Sequence, residues 1–489
     1  MRVVLAGPYG HPPTGTPAFG GDQTRRRNGE LMSRPRIVVV GAGFGGLHTL
    51  RHLERRIPRG MADIALVAPH DYMLYSPLLP QVASGLLTPQ SVAMSVHRLT
   101  RDTRLIPGHA VGVDTADRTV VVRRSTGELA PCPYDRLVLA PGGLTRSFDI
   151  PGLTEHAYGA KTLAEAVLLR DHILAQLELA NDSRDPIERE ERCRFIVVGG
   201  GYTGVETAAS LLRLTEEAAR RYPELRSAIS WHLVDIAPKV LPELGDRLGR
   251  KALDMLRGMG IEVKLKVTVR DVTADKVVLT DGRALPCRTL IWTAGVAPSP
   301  LMETLDKPTE RGRLEVGADL RVPGLDDVFA LGDAAAVPNL AHTEHTYCPP
   351  TAQYASRQAA TVAANVVSSI LGRPLQEFRH RDMGLVVDLS GKDALARVLK
   401  FDLSGPPALA ATRGYHLASV PSTPARARIL ANWAIRAFTG GEVSRLGFAD
   451  DGRPSSFVDK EAVDYLDVDT SRREGARLME NLRARFGED

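Results

Sequence analysis

The stretch IVVVGAGFGGLHTL, Ile37 to Leu50, decides the fold, because it returns later as FIVVGGGYTGVETAASL, Phe195 to Leu211. Each copy is a β-branched run, a glycine-rich turn and the start of an amphipathic helix. In the first, Gly41, Gly43 and Gly46 form GxGxxG, with Gly45 inside the same turn; in the second the glycines are Gly199, Gly201 and Gly204. The first glycine of such a turn allows a tight bend, and the second lets backbone approach a pyrophosphate. The third lets helix and strand pack closely. The helix N-terminus adds free amides and the positive end of a dipole, a ready place for phosphate.

The segments downstream of the two turns also repeat. The strand-like IALVA (Ile64 to Ala68) leads to DTADRTVVVRRSTGELAPCPYDRLVLAPGG (Asp114 to Gly143), and WHLVD (Trp231 to Asp235) leads to DVTADKVVLTDGRALPCRTLIWTAG (Asp271 to Gly295). Both hairpin-like segments carry a Pro-Cys pair before the last strand. Alternating strands and helices predict parallel sheets covered on both faces, and the repetition predicts one domain duplicated. The expected fold is therefore α/β: two Rossmann-like dinucleotide-binding domains with a C-terminal α+β module. The boundaries expected are a disordered extension at 1–33, a first nucleotide domain at 34–150 continued at 300–375, a second at 151–299, and a C-terminal module at 376–489.

The strand after the second turn ends in Asp235, where a carboxylate accepts hydrogen bonds from an adenosine ribose and repels a 2′-phosphate. NADH is thus favoured over NADPH, although Lys239 lies nearby. The corresponding strand of the first copy ends in Ala68, so its ribose contact is expected from the loop, at Asp71.

Bulk properties narrow the alternatives. The 489 residues exceed one hydrophobic core, and 43% apolar content is that of a globular protein. A net charge of +4 against 120 Lys, Arg, Asp and Glu excludes the broad basic field of a nucleic-acid binder. The four cysteines, Cys132, Cys193, Cys287 and Cys348, lack metal-ligand or disulfide-framework spacing, so no metal is expected and a reducing cytoplasm fits. No apolar run is long enough to span a bilayer, so membrane contact is expected to be peripheral.

Five segments resemble the FAD-dependent pyridine-nucleotide oxidoreductases, and within them the type II NADH dehydrogenases: GAGFGGL at Gly41, YSPLLPQVASG at Tyr75, GGGYTGVE at Gly199, VFALGDAA at Val328 and PPTAQYASRQ at Pro349. The resemblance runs from about Arg36 to about Gly384. It implies FAD on the first domain, NADH on the second and quinone as electron acceptor. By the same comparison Asp333, with Gly332 and Ala334, holds the ribityl or phosphate part of the flavin, and Asp333 also caps the alanine-rich helix expected after it. Gly142 and Gly295 close the strands facing the two coenzymes. Glu206 falls near flavin and nicotinamide as a proton donor, Gln353 and Gln358 line the quinone pocket, and Gln81 lies near the isoalloxazine.

Disulfide reductases of this superfamily carry a CxxxxC in the first helix, absent here. Sulfide:quinone oxidoreductases use separated cysteines, so Cys348 keeps that reading open beside a soluble NAD(P)H-dependent flavoprotein reductase. One departure from the family is Ala140-Pro141-Gly142 in place of Ala-Thr-Gly.

Near the C-terminus, residues 397–445 hold seven Lys or Arg against two acidic residues, and 446–489 reverse the balance with seven against eleven. Within the basic part, ARARILANWAIRAF (Ala425 to Phe438) puts Ile429, Leu430, Trp433, Ala434, Ala437 and Phe438 on one helical face and Arg428, Asn432 and Arg436 opposite, with Arg426 snorkelling. Such a helix lies on an anionic membrane surface, at the cytoplasmic face of the cell membrane, or forms a dimer contact.

Overall fold

The computed structural model describes residues 25–27, 30–32, 34–146, 148–341, 347–380, 384–389, 393–399, 401–439, 443–447 and 465–486. The expectation of disorder at 1–33 falls mostly outside them; two described pieces there, Arg25–Arg27 and Glu30–Met32, pair antiparallel.

The quoted run forms strand β1 (Arg36–Val40), whose Ile37 to Val40 are wholly inside the protein. A continuous apolar strand marks a parallel sheet covered on both sides. Helix α1 (Phe44–Arg56) leaves the glycine turn and returns the chain to β2 (Asp63–Ala68). After a short helix α2 (Leu79–Ala83) come β3 (Arg104–Pro107) and β4 (Arg136–Leu139). The spatial order is β4, β1, β2, β3, and Val328–Ala330 joins from far along the chain beside β4, every pair parallel.

The second unit repeats this layout. Helix α3 (Leu163–Asp182) precedes β5 (Arg194–Val198), the glycine turn and α4 (Tyr202–Ala218); β6 (Ser230–Asp235), β7 (Ile261–Leu265) and β8 (Thr289–Trp292) come next. The order is β8, β5, β6, β7, all parallel, with Ala157–Tyr158 beside β8. Each unit also carries a three-stranded antiparallel insertion, at 109–133 and 269–286, and each insertion has a bulge in its first strand. The units are joined where Gly143–Thr145 pairs antiparallel with Val296–Pro298.

The chain then re-enters the first unit through Val328–Ala330 and α5 (Ala352–Ile370), which packs along α1. The remainder occupies two places. A three-stranded meander, β9 (Gly384–Leu389), β10 (Asp393–Val398) and β11 (Phe401–Ser404), with helices α6 (Pro406–Ser419) and α7 (Thr423–Thr439), shares one apolar core with the second unit. Helix α8 (Val468–Phe486) instead lies on the antiparallel insertion of the first unit, where Leu466 and Leu478 cover Val111 and Val121.

Helix α7 is amphipathic, but it is divided differently from the sequence expectation. Ala425, Ile429 and Trp433, four residues apart, are buried, while Leu430 and Phe438 face outward with Ile435. Of the three residues expected on the wet side, Arg428 is exposed but two face the protein: Asn432 donates to Ser91 Oγ (3.0 Å), and Arg436 pairs with Glu217 on α4 (2.9 Å) and donates to the Gly85 carbonyl (3.2 Å). Arg426 does not snorkel; it donates to the Val420 and Ala418 carbonyls at the end of α6, orphan acceptors that a cation satisfies well. The Trp433 indole donates to Gln81 Oε1 at 2.9 Å, and the Arg413 guanidinium lies 5.0 Å from its ring centre. Trp433→Ala opens a cavity and strands Gln81, so it is expected to cost about 3–5 kcal/mol, read as a lower thermal midpoint.

Candidate functional site

The two glycine turns are built alike, atom for atom. Gly41 N–H donates to the Val67 carbonyl and Gly199 N–H to the Val234 carbonyl, both at 2.9 Å, tying each turn to its second strand. A Cβ on Gly46 would stand 1.8 Å from the Gly41 carbonyl oxygen, and one on Gly204 would stand 1.8 Å from that of Gly199. Only a bare Cα lets α1 and α4 start this close to their strands. At Gly43 and Gly201, by contrast, a Cβ would meet nothing within 4 Å. These two face open space at a helix N-terminus, the space that a pyrophosphate requires.

Gly142 and Gly295 come after β4 and β8 at equivalent places beside the turns. Pro141 fits there: its Cα lies 3.0 Å from the Cβ position of Gly41, in the tightest part of the turn. Asp235 accepts from the amides of Gly200 and Ala237, so its carboxylate is fixed at the rim of the second turn. Lys239 pairs with Asp246 at 2.8 Å, which removes it as a free cation for a 2′-phosphate. Asp71 is exposed, and its carbonyl accepts from Val96 N–H at 2.8 Å.

The VFALGDAA segment comes to the first turn through Leu331, whose side chain lies 3.2 Å from the Cβ position of Gly45. Gly332 to Ala334 form a single tight turn that runs into the short strand Ala335–Ala336. Asp333 therefore does not cap an alanine-rich helix: α5 begins at Ala352 and is capped by Thr351, whose hydroxyl accepts from Tyr354 N–H. Ala334 to Ala336 have a helical composition, but Ala334 ends the turn and strand pairing with Leu314 and Glu315 claims Ala335 and Ala336.

Lys161, just before α3, carries no motif that marks it in the sequence. Its ammonium is inaccessible to water and has no hydrogen-bond partner among the described residues, and the charges acting on it there are Asp333 and Glu165. Burial holds it below the ordinary lysine value, against the pull of those carboxylates. Burial in turn holds the Asp333 carboxyl above the usual range, opposed by Lys161 and Arg313. A buried ammonium without a partner is costly. The acceptor oxygens of a flavin ribityl chain or diphosphate would satisfy it, so open space over Gly43, Asp333 and Lys161 together fit FAD. The one sequence signal near Lys161 is the capping box made by Thr162 and Glu165. Lys161→Met is expected to weaken flavin retention about tenfold or more, checked by the free-flavin fraction after dialysis.

The glutamines take specific places. Gln358 is buried on α5 and its Oε1 accepts from Gly332 N–H at 2.8 Å, so it braces the Asp333 turn. Gln353 stands in the first turn of α5, partly exposed. Gln81 on α2 is engaged at both ends: Nε2 donates to Asp388 Oδ2 and Oε1 accepts from Trp433, each at 2.9 Å. Neither pairing had a sequence signal, since Asp388 and Trp433 lie more than 300 residues away.

Glu206 lies on α4, about five residues from the Gly201 N-cap, or roughly 7 Å along the axis. Its Oε1 accepts from the Asp388 backbone N–H at 2.9 Å. Burial first, then the Asp388 charge, push its carboxyl up to about 8, and the amide bond opposes them only in part. This glutamate is therefore a carboxylic acid at neutral pH, a state suited to giving up a proton. The four cysteines are buried; Cys348 donates its thiol to the Pro338 carbonyl.

Comparison with known proteins agrees with this geometry. Residues 35–359 match the family model "Pyridine nucleotide-disulphide oxidoreductase". A type II NADH:quinone oxidoreductase of Mycobacterium tuberculosis is 32% identical over 421 residues, 82% of this chain and 88% of that protein. An internal alternative NAD(P)H-ubiquinone oxidoreductase of Solanum tuberosum mitochondria is 28% identical over 84% of this chain and 88% of its own. In fold the chain is similar to NDH2 of Plasmodium falciparum in complex with NADH, with a TM-score of 0.78 at 19% identity, covering 84% of this chain and all of that one. A sulfide:quinone oxidoreductase of Aquifex aeolicus shares the fold less closely, with a TM-score of 0.63 at 19% identity, over 83% and 96% of the two chains. The chain belongs to the pyridine nucleotide-disulphide oxidoreductase family, and within it to the type II NADH:quinone oxidoreductases. Its coenzymes are FAD and NADH.

Proposed function

We propose that this chain oxidises NADH and reduces a membrane quinone, with Glu206 as the proton donor. The observation that carries the reading is the double use of α4: its N-terminus forms the second dinucleotide turn, and Glu206, a neutral acid, stands about five residues later. FAD, when bound, accepts hydride from NADH and passes electrons on as a pair.

The residues divide the remaining work. Gly41, Gly43 and Gly46 admit the flavin diphosphate, and Asp333, steadied through Gln358, and Lys161 hold the flavin's polar chain. Gly199, Gly201 and Gly204 admit the NADH diphosphate, with Asp235 at its ribose. Gln353 offers an uncharged amide to a quinone carbonyl, and Glu206 supplies a proton as the quinone oxygens gain electron density. Hydride transfer itself is a matter of alignment and exclusion of water.

Among the described residues no helix is long and apolar enough to cross a membrane. A peripheral contact is supported by Leu430, Ile435 and Phe438 on the outer side of α7, the last 90% exposed, in a basic stretch. The test is direct: purified yellow protein should oxidise NADH at the expense of menaquinone and ubiquinone analogues, prefer NADH to NADPH, and sediment with anionic vesicles. Absence of quinone reduction with rapid flavin bleaching by NADH would overturn the acceptor assignment. Reduction of the flavin by sulfide would favour the sulfide:quinone reading instead.

A further inference from the structure

Glu206 does not stand alone. Asp388 on β9, only 7% exposed, touches it through the backbone, while its own carboxylate is held by Gln81 Nε2, and Gln81 is held in turn by Trp433. A single line of hydrogen bonds thus runs from α7 through α2 to β9 and ends on the acid of α4.

We propose that Asp388 is a positioning residue for proton delivery, acting through Glu206: the two buried carboxyl groups form one unit that carries a single proton between turnovers and gives it to the quinone. The inference rests on the quinone-reducing function proposed above. Two neighbouring carboxyl groups out of water cannot both ionise cheaply, so the pair retains a proton. The contacts decide which partner carries it. Gln81 donates to Asp388, favouring its ionised form, and that charge is one cause that pushes Glu206 up to about 8.

Among the described residues the other charges on the neighbouring elements are engaged or neutral; on α6, Arg413 lies over the Trp433 ring and burial drives His416 down to about 4. Helix α2 (LPQVA) brings none. On α4, Arg213 pairs with Glu216 and Glu217 with Arg436 of α7; on β10, Arg397 pairs with Asp402, whose carboxylate also meets Arg247. On α3, Asp171 accepts from the Leu446 amide, the Arg170 guanidinium lies against Gly85, and His172 is driven down to about 4 by burial and is neutral. Tyr202 stands one turn before Glu206 on the same helix. Among the described residues Asp388 is the charge that acts on Glu206, a smaller influence than burial and than the Asp388 amide bond.

The proton balance closes. NADH and quinone become NAD⁺ and quinol: the hydride brings two electrons and one proton, and the second proton leaves the Glu206 carboxyl for a quinone oxygen. Solvent then returns a proton to the pair.

The test uses the full flavin-loaded protein and Asp388→Asn, which keeps the backbone N–H and an oxygen for Gln81. Two acceptors are compared, a soluble ubiquinone analogue and ferricyanide, which takes electrons without protons. Without the Asp388 charge Glu206 loses its proton at lower pH. The alkaline limb of quinone kcat should therefore move down by about one pH unit, a roughly fivefold loss near pH 8 that approaches tenfold at higher pH and recovers near pH 6. Ferricyanide reduction should stay within twofold. Asp388→Thr, which also removes the charge but keeps a hydroxyl acceptor, should shift the limb the same way, and melting curves of both variants report folding. An unmoved alkaline limb, or equal losses with both acceptors, overturns the proposal. A wild-type protein that reduces ferricyanide but no quinone overturns the underlying function instead.

Discussion

Gly201→Asp should give a yellow, folded protein whose KM for NADH is raised a hundredfold or more. Gly201 is the N-cap of α4 with φ −78°, an ordinary extended conformation, and a Cβ there meets no atom within 4 Å. Aspartate is among the best N-cap residues, so the helix loses nothing. The new side chain, however, fills the opening needed by the NADH diphosphate and sets a negative charge against phosphate. A hundredfold loss corresponds to about 2.7 kcal/mol, modest for excluding a charged group from a helix terminus. Unchanged visible spectrum and thermal midpoint, with a KM within threefold of wild type, would show that the opening is not the nucleotide site. Gly204→Ala fails differently, since its methyl group would overlap the Gly199 carbonyl and disturb the fold itself.

Glu206→Gln should slow quinone turnover about a hundredfold while NADH still bleaches the flavin. The same substitution has a stability signature. The folded carboxyl sits near 8, above its ordinary value of 4.5, so the folded protein binds the proton more tightly than the unfolded chain. Stability from this group is complete below about pH 4.5 and is lost progressively as pH rises through 8, on the order of 5 kcal/mol. Glutamine cannot ionise, so the variant should melt at more nearly the same temperature from pH 5 to pH 9. A wild-type quinone rate in Glu206→Gln would remove Glu206 from the chemistry.

The duplicated fold is readable from sequence because it is written locally. Glycine spacing, apolar strands and two matching hairpins each sit within about thirty residues, and the two five-stranded parallel sheets have the same order. Asp235 is readable for the same reason. The Gln81, Asp388 and Trp433 cluster is not, because it joins three segments that no local pattern connects, and Gln81 stands out only through the family resemblance. Lys161 is a plain lysine in sequence; what distinguishes it is water's absence around its ammonium, a property of the folded chain alone. The orientation of α7 departs from expectation because periodicity yields an apolar side without saying how much of it the protein itself consumes. Ile429 and Trp433 go inward, and Leu430 and Phe438 are left over.

That division of α7 decides how the proposed lipid contact can be removed. Removing the helix would also remove Ile429 and Trp433 from the core beneath the nucleotide unit and break the Arg436 tie to α4. Truncation would therefore damage the fold along with any lipid contact. Recolouring the outer stripe, Leu430, Ile435 and Phe438, with charged side chains would remove the proposed lipid contact while leaving the core whole.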